Sequence, residues 1–175
     1  METLIKELNQ YLSDLAVFYR KLQNYHWNVK GSDFFVVHEK LEEYYNKIND
    51  QIDEVAEHIL TLNAQPLGTM KDYLETTTIA EAKNERICST EIYKNIIKDF
   101  ETLLERVNQI KEEAEKKKQY SASSLIDGYI LEYSKNIMDA KSKYIILGPN
   151  LYFLFNRNLD LALFFRNCSV SVHNS

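Results

Sequence analysis

Apolar residues recur along this chain at spacings of three, four and seven, the period of a helix that hides one stripe of its surface. The first such run extends from about Thr3 to Val29, with Leu4, Leu8, Leu12, Leu15, Tyr19, Leu22 and Val29 on one stripe. Gly31-Ser32-Asp33 interrupts it, and Asp33 is a suitable N-cap for a second run from Phe34 to about Leu62. That run carries Leu41, Tyr45, Ile48, Ile52, Val55 and Ile59 as its core stripe. So short a connection folds the two helices into an antiparallel hairpin. Asn63-Ala64-Gln65-Pro66-Leu67-Gly68 closes the second helix, and a long connection to about Cys88 has room for a short helix over Met70–Glu75. A third helix opens at a Ser89 N-cap and turns Ile92, Ile96, Phe100, Leu103, Val107, Ile110 and Ala114 inward. A fourth starts within Ser121–Ser124 and runs through Tyr129, Tyr133 and Ile137.

The expected fold class is therefore all-α. Two helical hairpins joined by one long crossover, here carrying a short helix, make the ferritin-like variant of the four-helix bundle. Composition agrees: 175 residues suit one domain, and only 4 Gly and 2 Pro leave few tight turns for a β-sandwich. A formal net charge of −5 excludes a strongly basic surface over the whole chain. The mixed-sign run Lys111–Lys118 is a solvated helix face, not a nucleic-acid patch. Cys88 and Cys168 are too few for a disulfide framework or a cysteine-rich metal knuckle, so a reduced, cytoplasmic chain is expected. Met1-Glu-Thr-Leu-Ile-Lys is amphipathic at once, with no secretory leader pattern.

The candidate chemistry lies in the first hairpin: His26, His38, Glu42, Asp53 and Glu57. On a helical wheel measured from His38, Glu42 falls near ~40°, Asp53 near ~60° and Glu57 near ~100°. Leu41, Tyr45, Ile48, Ile52 and Ile59 fall at roughly 280–340°. The candidate ligands thus form a stripe beside the core stripe, where an interface would lie. Imidazole and carboxylate are the ligands expected of a non-haem iron centre. Distance adds a constraint, because His38 and Asp53 are separated by roughly 22 Å along a straight helix. His26 and His38 flank the turn and can meet, with Glu42 one turn further on, whereas Asp53 and Glu57 sit at the other end. Joining all five needs a second subunit with its helix antiparallel, as a two-fold axis supplies, and this creates two symmetric sites per dimer. Spacing alone leaves the plainer reading open, in which these are exposed carboxylates and two partly buried histidines.

The same residues carry a family resemblance. Tyr25-His26-Trp27-Asn28-Val29-Lys30-Gly31, Asp33-Phe34-Phe35, His38-Glu39-Lys40-Leu41-Glu42-Glu43, Asp53-Glu54-Val55-Ala56-Glu57 and Pro66-Leu67-Gly68-Thr69-Met70-Lys71 resemble the signature of the Dps family. These are the mini-ferritins, or DNA-binding proteins from starved cells, and the resemblance covers about residues 1–137. It implies a dodecameric homo-oligomer that oxidises Fe(II), usually with hydrogen peroxide, and stores ferric iron in its cavity. It further implies a ferroxidase at the two-fold interface, able to take two iron ions per site. His26, His38 and Glu42 would come from one subunit, and Asp53 and Glu57 from the other. Trp27 resembles the family's tryptophan beside the site, an interceptor of stray oxidant; packing within the bundle is its other reading. His58 stands where an Arg is usual, an expected change at the surface or an interface, with an extra metal contact as its other reading. The other function class is a nucleoid or stress-protection protein acting by DNA binding. Phosphate binding needs clustered Lys or Arg, and Met1-Glu2-Thr3-Leu4-Ile5-Lys6-Glu7 is not basic, so direct DNA binding is not expected.

The resemblance ends near Met138. Residues 138–175 hold 4 of the 8 Phe and a net charge of +2, against −7 for residues 1–137. We expect a ferritin-like domain over residues 1–146 and an atypical hydrophobic tail over 147–175. The apolar run Tyr144–Phe165 is interrupted by Gly148-Pro149-Asn150, Arg157 and Asp160, so no membrane span is expected. Family members commonly read Trp-Met-Leu or Trp-Met-Phe at Met138. Dropping the first base of the Met138 codon makes the next triplet Trp, and GAT-GCT codons for Asp139-Ala140 would extend it to Trp-Met-Leu. One extra nucleotide near codon 138 is one origin of the ending; a genuine extension with a hydrophobic docking segment is the other.

Overall fold

A computed structural model describes residues 1–147. Readings that fall on 148–175, including Cys168 and most of the apolar run, lie outside the described residues. Five helices follow in order: α1 (Glu2–Asn28), α2 (Phe34–Thr61), α3 (Met70–Thr76), α4 (Ser89–Lys116) and α5 (Tyr120–Leu147). Helices α1 and α2 form one antiparallel hairpin, α4 and α5 the other, and α1 also packs on α4 and α3. The ferritin-like four-helix bundle is thus present, with its short crossover helix.

The core is built by the periodic stripes. Leu4, Leu8, Leu12, Leu15 and Leu22 of α1 and Ile92, Ile96, Phe100, Leu103, Val107 and Ile110 of α4 are fully buried. On α2 the buried face is Val37, Leu41, Tyr44, Ile48, Gln51, Val55 and Ile59. It is turned slightly from the expected stripe, so Tyr45 and Ile52 lie half-buried at its margin. Burial at roughly 25 cal/mol per Å² of apolar surface makes this stripe, not helix propensity, the main support of each helix. A polar group crosses the core: the Tyr11 and Tyr133 hydroxyls pair, Tyr133 donates to Gln51 Oε1, and Gln51 Nε2 donates to Glu132 at 2.9 Å. That satisfies the buried polar atoms of the centre.

Helix ends explain the connections. Asn63 and Lys118 both sit in the left-handed region, at φ 57°. Asn63 N–H donates to Leu60 O and Ala64 N–H to Ile59 O, while Lys118 and Gln119 repeat the pattern on Glu115 and Ala114. Both are Schellman ends, which satisfy the last carbonyls of α2 and α4. At α4 the N-cap is Cys88, one residue before the expected Ser89, and no side chain caps it. Asp33 occupies the N-cap of α2, again without a side-chain capping bond. The fourth long helix begins at Tyr120 and runs ten residues past Ile137, with Ala140 buried and Lys141 paired with Glu101 at 2.7 Å.

The crossover is held by α1. Asp14, wholly buried, accepts from Thr78 N–H at 2.6 Å, Thr77 Oγ1 at 2.9 Å and Thr78 Oγ1 at 3.1 Å. Asn9 Oδ1 accepts from Leu67 N–H at 2.7 Å. The crossover returns through a two-residue parallel pairing of β1 (Val29–Lys30) with β2 (Ile87–Cys88), which joins it to the first hairpin turn.

Candidate metal centre

The turn between α1 and α2 brings the two histidines together. Gly31 turns the chain at φ 133°, a conformation that side chains rarely adopt, and a Cβ there would stand 3.0 Å from Asp33 Oδ1. His26 lies in the last turn of α1 and His38 in the second turn of α2. Each imidazole bonds the other's backbone: His26 Nδ1 to His38 O at 2.8 Å, and His38 Nδ1 to His26 O at 2.8 Å. A carbonyl oxygen only accepts, so both Nδ1 atoms carry the proton. Both Nε2 atoms of the neutral rings then keep their lone pairs, the form in which imidazole binds metal. The rings stack with centroids 3.5 Å apart, and Phe34 stacks on the outer face of His38 at 4.9 Å.

Glu42 lies one turn beyond His38 and is exposed. Burial, and after it the Glu42 charge, raise the pKa of Tyr45 above the ordinary phenol value. Asp53 and Glu57 are exposed further along α2, where Asn49, Asp50, Ile52, Asp53, Glu54 and Ala56 line a shallow depression. Among the described residues of one chain, no three His, Cys, Asp or Glu side chains gather as a metal site. The helix holds His38 and Asp53 roughly 22 Å apart, and within one chain Glu42 does not close on the histidine pair as a third ligand either. Trp27 is 57% exposed and Phe35 82%, both beside the histidines, so Trp27 does not pack within its own bundle.

Two contributions were not visible in the ligand spacing. The backbone carbonyls of His26 and His38 act as partners of the opposite rings, and Tyr45 lies at the margin of the core stripe with its ring edge to face with His26. A wheel centred on the most buried positions would have placed Tyr45 at the margin. His58, read as a surface or interface change, is half-buried with no hydrogen-bond partner for Nε2, and burial lowers its pKa.

Comparison with known proteins settles the family. A ferritin-like domain model matches residues 5–142. The DNA protection during starvation protein 2 of Bacillus anthracis is 38% identical over 133 residues, 76% of this chain and 90% of that protein. This chain belongs to the Dps branch of the ferritin-like family. General stress protein 20U of Bacillus subtilis is 42% identical over 106 residues, 61% of this chain and 72% of the relative. Among solved structures, the Dps protein of Vibrio cholerae O1, described as a ferritin-like diiron-carboxylate protein, superposes with a TM-score of 0.78. It is 33% identical, and the match covers 81% of this chain and 88% of that one. Antigen TpF1 of Treponema pallidum superposes with a TM-score of 0.80 at 32% identity, over 82% of this chain and 92% of its own. Among the described residues, no helix is long and apolar enough to cross a membrane.

Proposed function

We propose that this Dps-family protein oxidises Fe(II), with hydrogen peroxide as oxidant, and stores the ferric product inside a hollow homo-oligomer, a dodecamer as in the family. The observation that carries this reading is the histidine pair: two imidazoles held in the metal-binding tautomer at one end of α2, with Asp53 and Glu57 exposed at the other. A second chain, antiparallel about a two-fold axis, would set the partner's carboxylates opposite the histidines and Glu42. The five ligands His26, His38, Glu42, Asp53 and Glu57 suit iron, because carboxylates favour Fe(III) over Fe(II) while imidazole accepts either. Two Fe(II) ions supply the two electrons that reduce one peroxide to water, so oxidation consumes both reagents of hydroxyl-radical formation. The chain's own side chains bind and orient the iron, and Trp27 stands beside them as an electron donor to stray oxidant.

Anaerobic Fe(II) loading followed by peroxide tests this. The expected result is rapid oxidation near one peroxide per two Fe(II), with iron retained in a particle of dodecamer size by chromatography with mass detection. Iron that precipitates outside the protein, or a chain that stays monomeric, would overturn the reading. DNA retardation that weakens with salt and survives His38→Ala would favour the binding class instead.

A further inference from the structure

We infer that the outer face of α5 is the seat of the chain's own apolar ending, residues 151–165, returning along the helix that precedes it. Leu131, Met138 and Ile145 are 74%, 58% and 61% exposed. They follow one another at seven-residue steps, so they form one line along α5, about 21 Å long at the helical rise. Tyr120, eleven residues before Leu131 and also exposed, starts the same line. Between them lie Ser124, Gly128, Ser134 and Ser142, all exposed, and a Cβ at Gly128 would meet no atom within 4 Å. The charges beside the line are answered inside the chain: Asp127 by Lys111 at 2.7 Å, Lys135 by Asp139 at 2.9 Å and Lys141 by Glu101 at 2.7 Å. What remains is a row of apolar side chains and small residues, uncovered among the described residues.

The ending suits this face in position, reach and chemistry. Gly148-Pro149-Asn150 follows the last residue of α5 directly. Proline cannot continue a helix, and glycine or asparagine accepts the left-handed conformation that ends one. So short a connection sends the next segment back along its predecessor. Residues 151–165 hold five Leu, four Phe and one Tyr, against one Arg and one Asp. Even at the helical rise they reach about 22 Å, enough to run from Ile145 to Leu131. The inner side of α5 is taken, since Ala122, Ile126, Tyr129, Tyr133 and Ile137 are buried in the core. The outer line is the apolar surface of that helix left to a returning segment, and covering it removes both surfaces from water. Burial depends only on the residues present, so the inference holds for either origin of the ending and is independent of the iron reading.

Short-reach thiol crosslinking of the full chain tests the inference. In a Cys88→Ser background, Gly128→Cys leaves two thiols, Cys168 and the one placed on α5. A short bismaleimide should join them within one chain, whereas Arg20→Cys, at an exposed position of α1, should give no such product. Mixing isotopically heavy and light chains before assembly separates links within a chain from links between chains. Leu131→Glu with Met138→Glu should abolish the link and speed chymotryptic cleavage within 151–165 about tenfold or more, with the parental helix content by circular dichroism. Links between chains only would assign the face to a second copy and overturn the inference. Absence of a link, equal linking from Arg20→Cys, or cleavage unchanged by the two Glu substitutions would overturn it as well.

Discussion

At the scale of single residues, the decisive feature is which nitrogen of each histidine is spoken for. His26 and His38 each spend Nδ1 on the other's backbone carbonyl, and only Nε2 remains for a ligand. Sequence spacing supplied the identities of the pair, since both flank a turn. It could not supply the tautomer, because this depends on carbonyls that meet the rings only after the hairpin closes. His58 is the contrasting case. Burial holds its imidazole below the ordinary value, and its Nε2 has no partner. As pH falls, the unfolded chain takes up this proton first, so the contribution of His58 is neutral above about pH 6.5 and destabilising below it. His58→Gln should flatten the decline in thermal midpoint between pH 7 and pH 5, and a parallel decline in both proteins would show that other groups govern it.

At the scale of elements, the long crossover depends on one buried carboxylate. Asp14 on α1 accepts three hydrogen bonds from Thr77 and Thr78, and its other oxygen lies 3.7 Å from Arg106 of α4. Arg106 also pairs with Glu7 at 2.6 Å. Removing one partner of a buried charged cluster typically costs about 3–5 kcal/mol, because the others stay buried without compensation. Asp14→Ala should therefore lose about 3 kcal/mol in urea unfolding and expose the segment after α3 to proteolysis. Unchanged stability would place the anchor of the crossover elsewhere, with Asn9 the next in line. The hydrophobic period predicted every long helix, and the Gly31 break predicted the hairpin. The start of α4 lies one residue earlier than expected, at a Cys88 N-cap, whereas α2 starts after Asp33 as expected although that side chain makes no capping bond. Asp14 escaped notice because a polar residue beside an apolar stripe looks like surface until the crossover lies over it.

At the scale of the whole molecule, the two groups of proposed ligands, His38 with Glu42 and Asp53 with Glu57, lie too far apart on a single helix to meet. If the site is shared, His38→Ala and Asp53→Ala subunits, each inactive alone, should complement one another in mixed oligomers. A mixed dimer has one site that lacks both residues and one that has both, so about half of the parental oxidation rate per mixed dimer should return on co-assembly. Absence of rescue in verified mixed particles would mean that each chain builds its site alone. The chain ending belongs to the same scale. We propose a ferritin-like domain over 1–146, followed by an atypical tail whose origin is a one-base shift near codon 138. The continuation of α5 to Leu147, with Ala140 buried, shows only that residues just past 138 remain compatible with the helix. Sequencing the gene should show GAT-GCT at codons 139–140, and any other pair removes the support for a shift.

By itself, the sequence determined the helices and their order, and it singled out the residues proposed to bind iron. A 3.6-residue period and the chemistry of side chains are local properties that need no knowledge of neighbours. It also showed that one helix cannot close the site, because helix rise converts residue number directly into distance. Only the tertiary structure decided the tautomer of the histidine pair, the place of Tyr45 between core and ligand stripe, and the burial of Asp14 beneath the crossover. Each of these depends on atoms remote in the chain that come into contact only when the first hairpin closes and the crossover lies against α1.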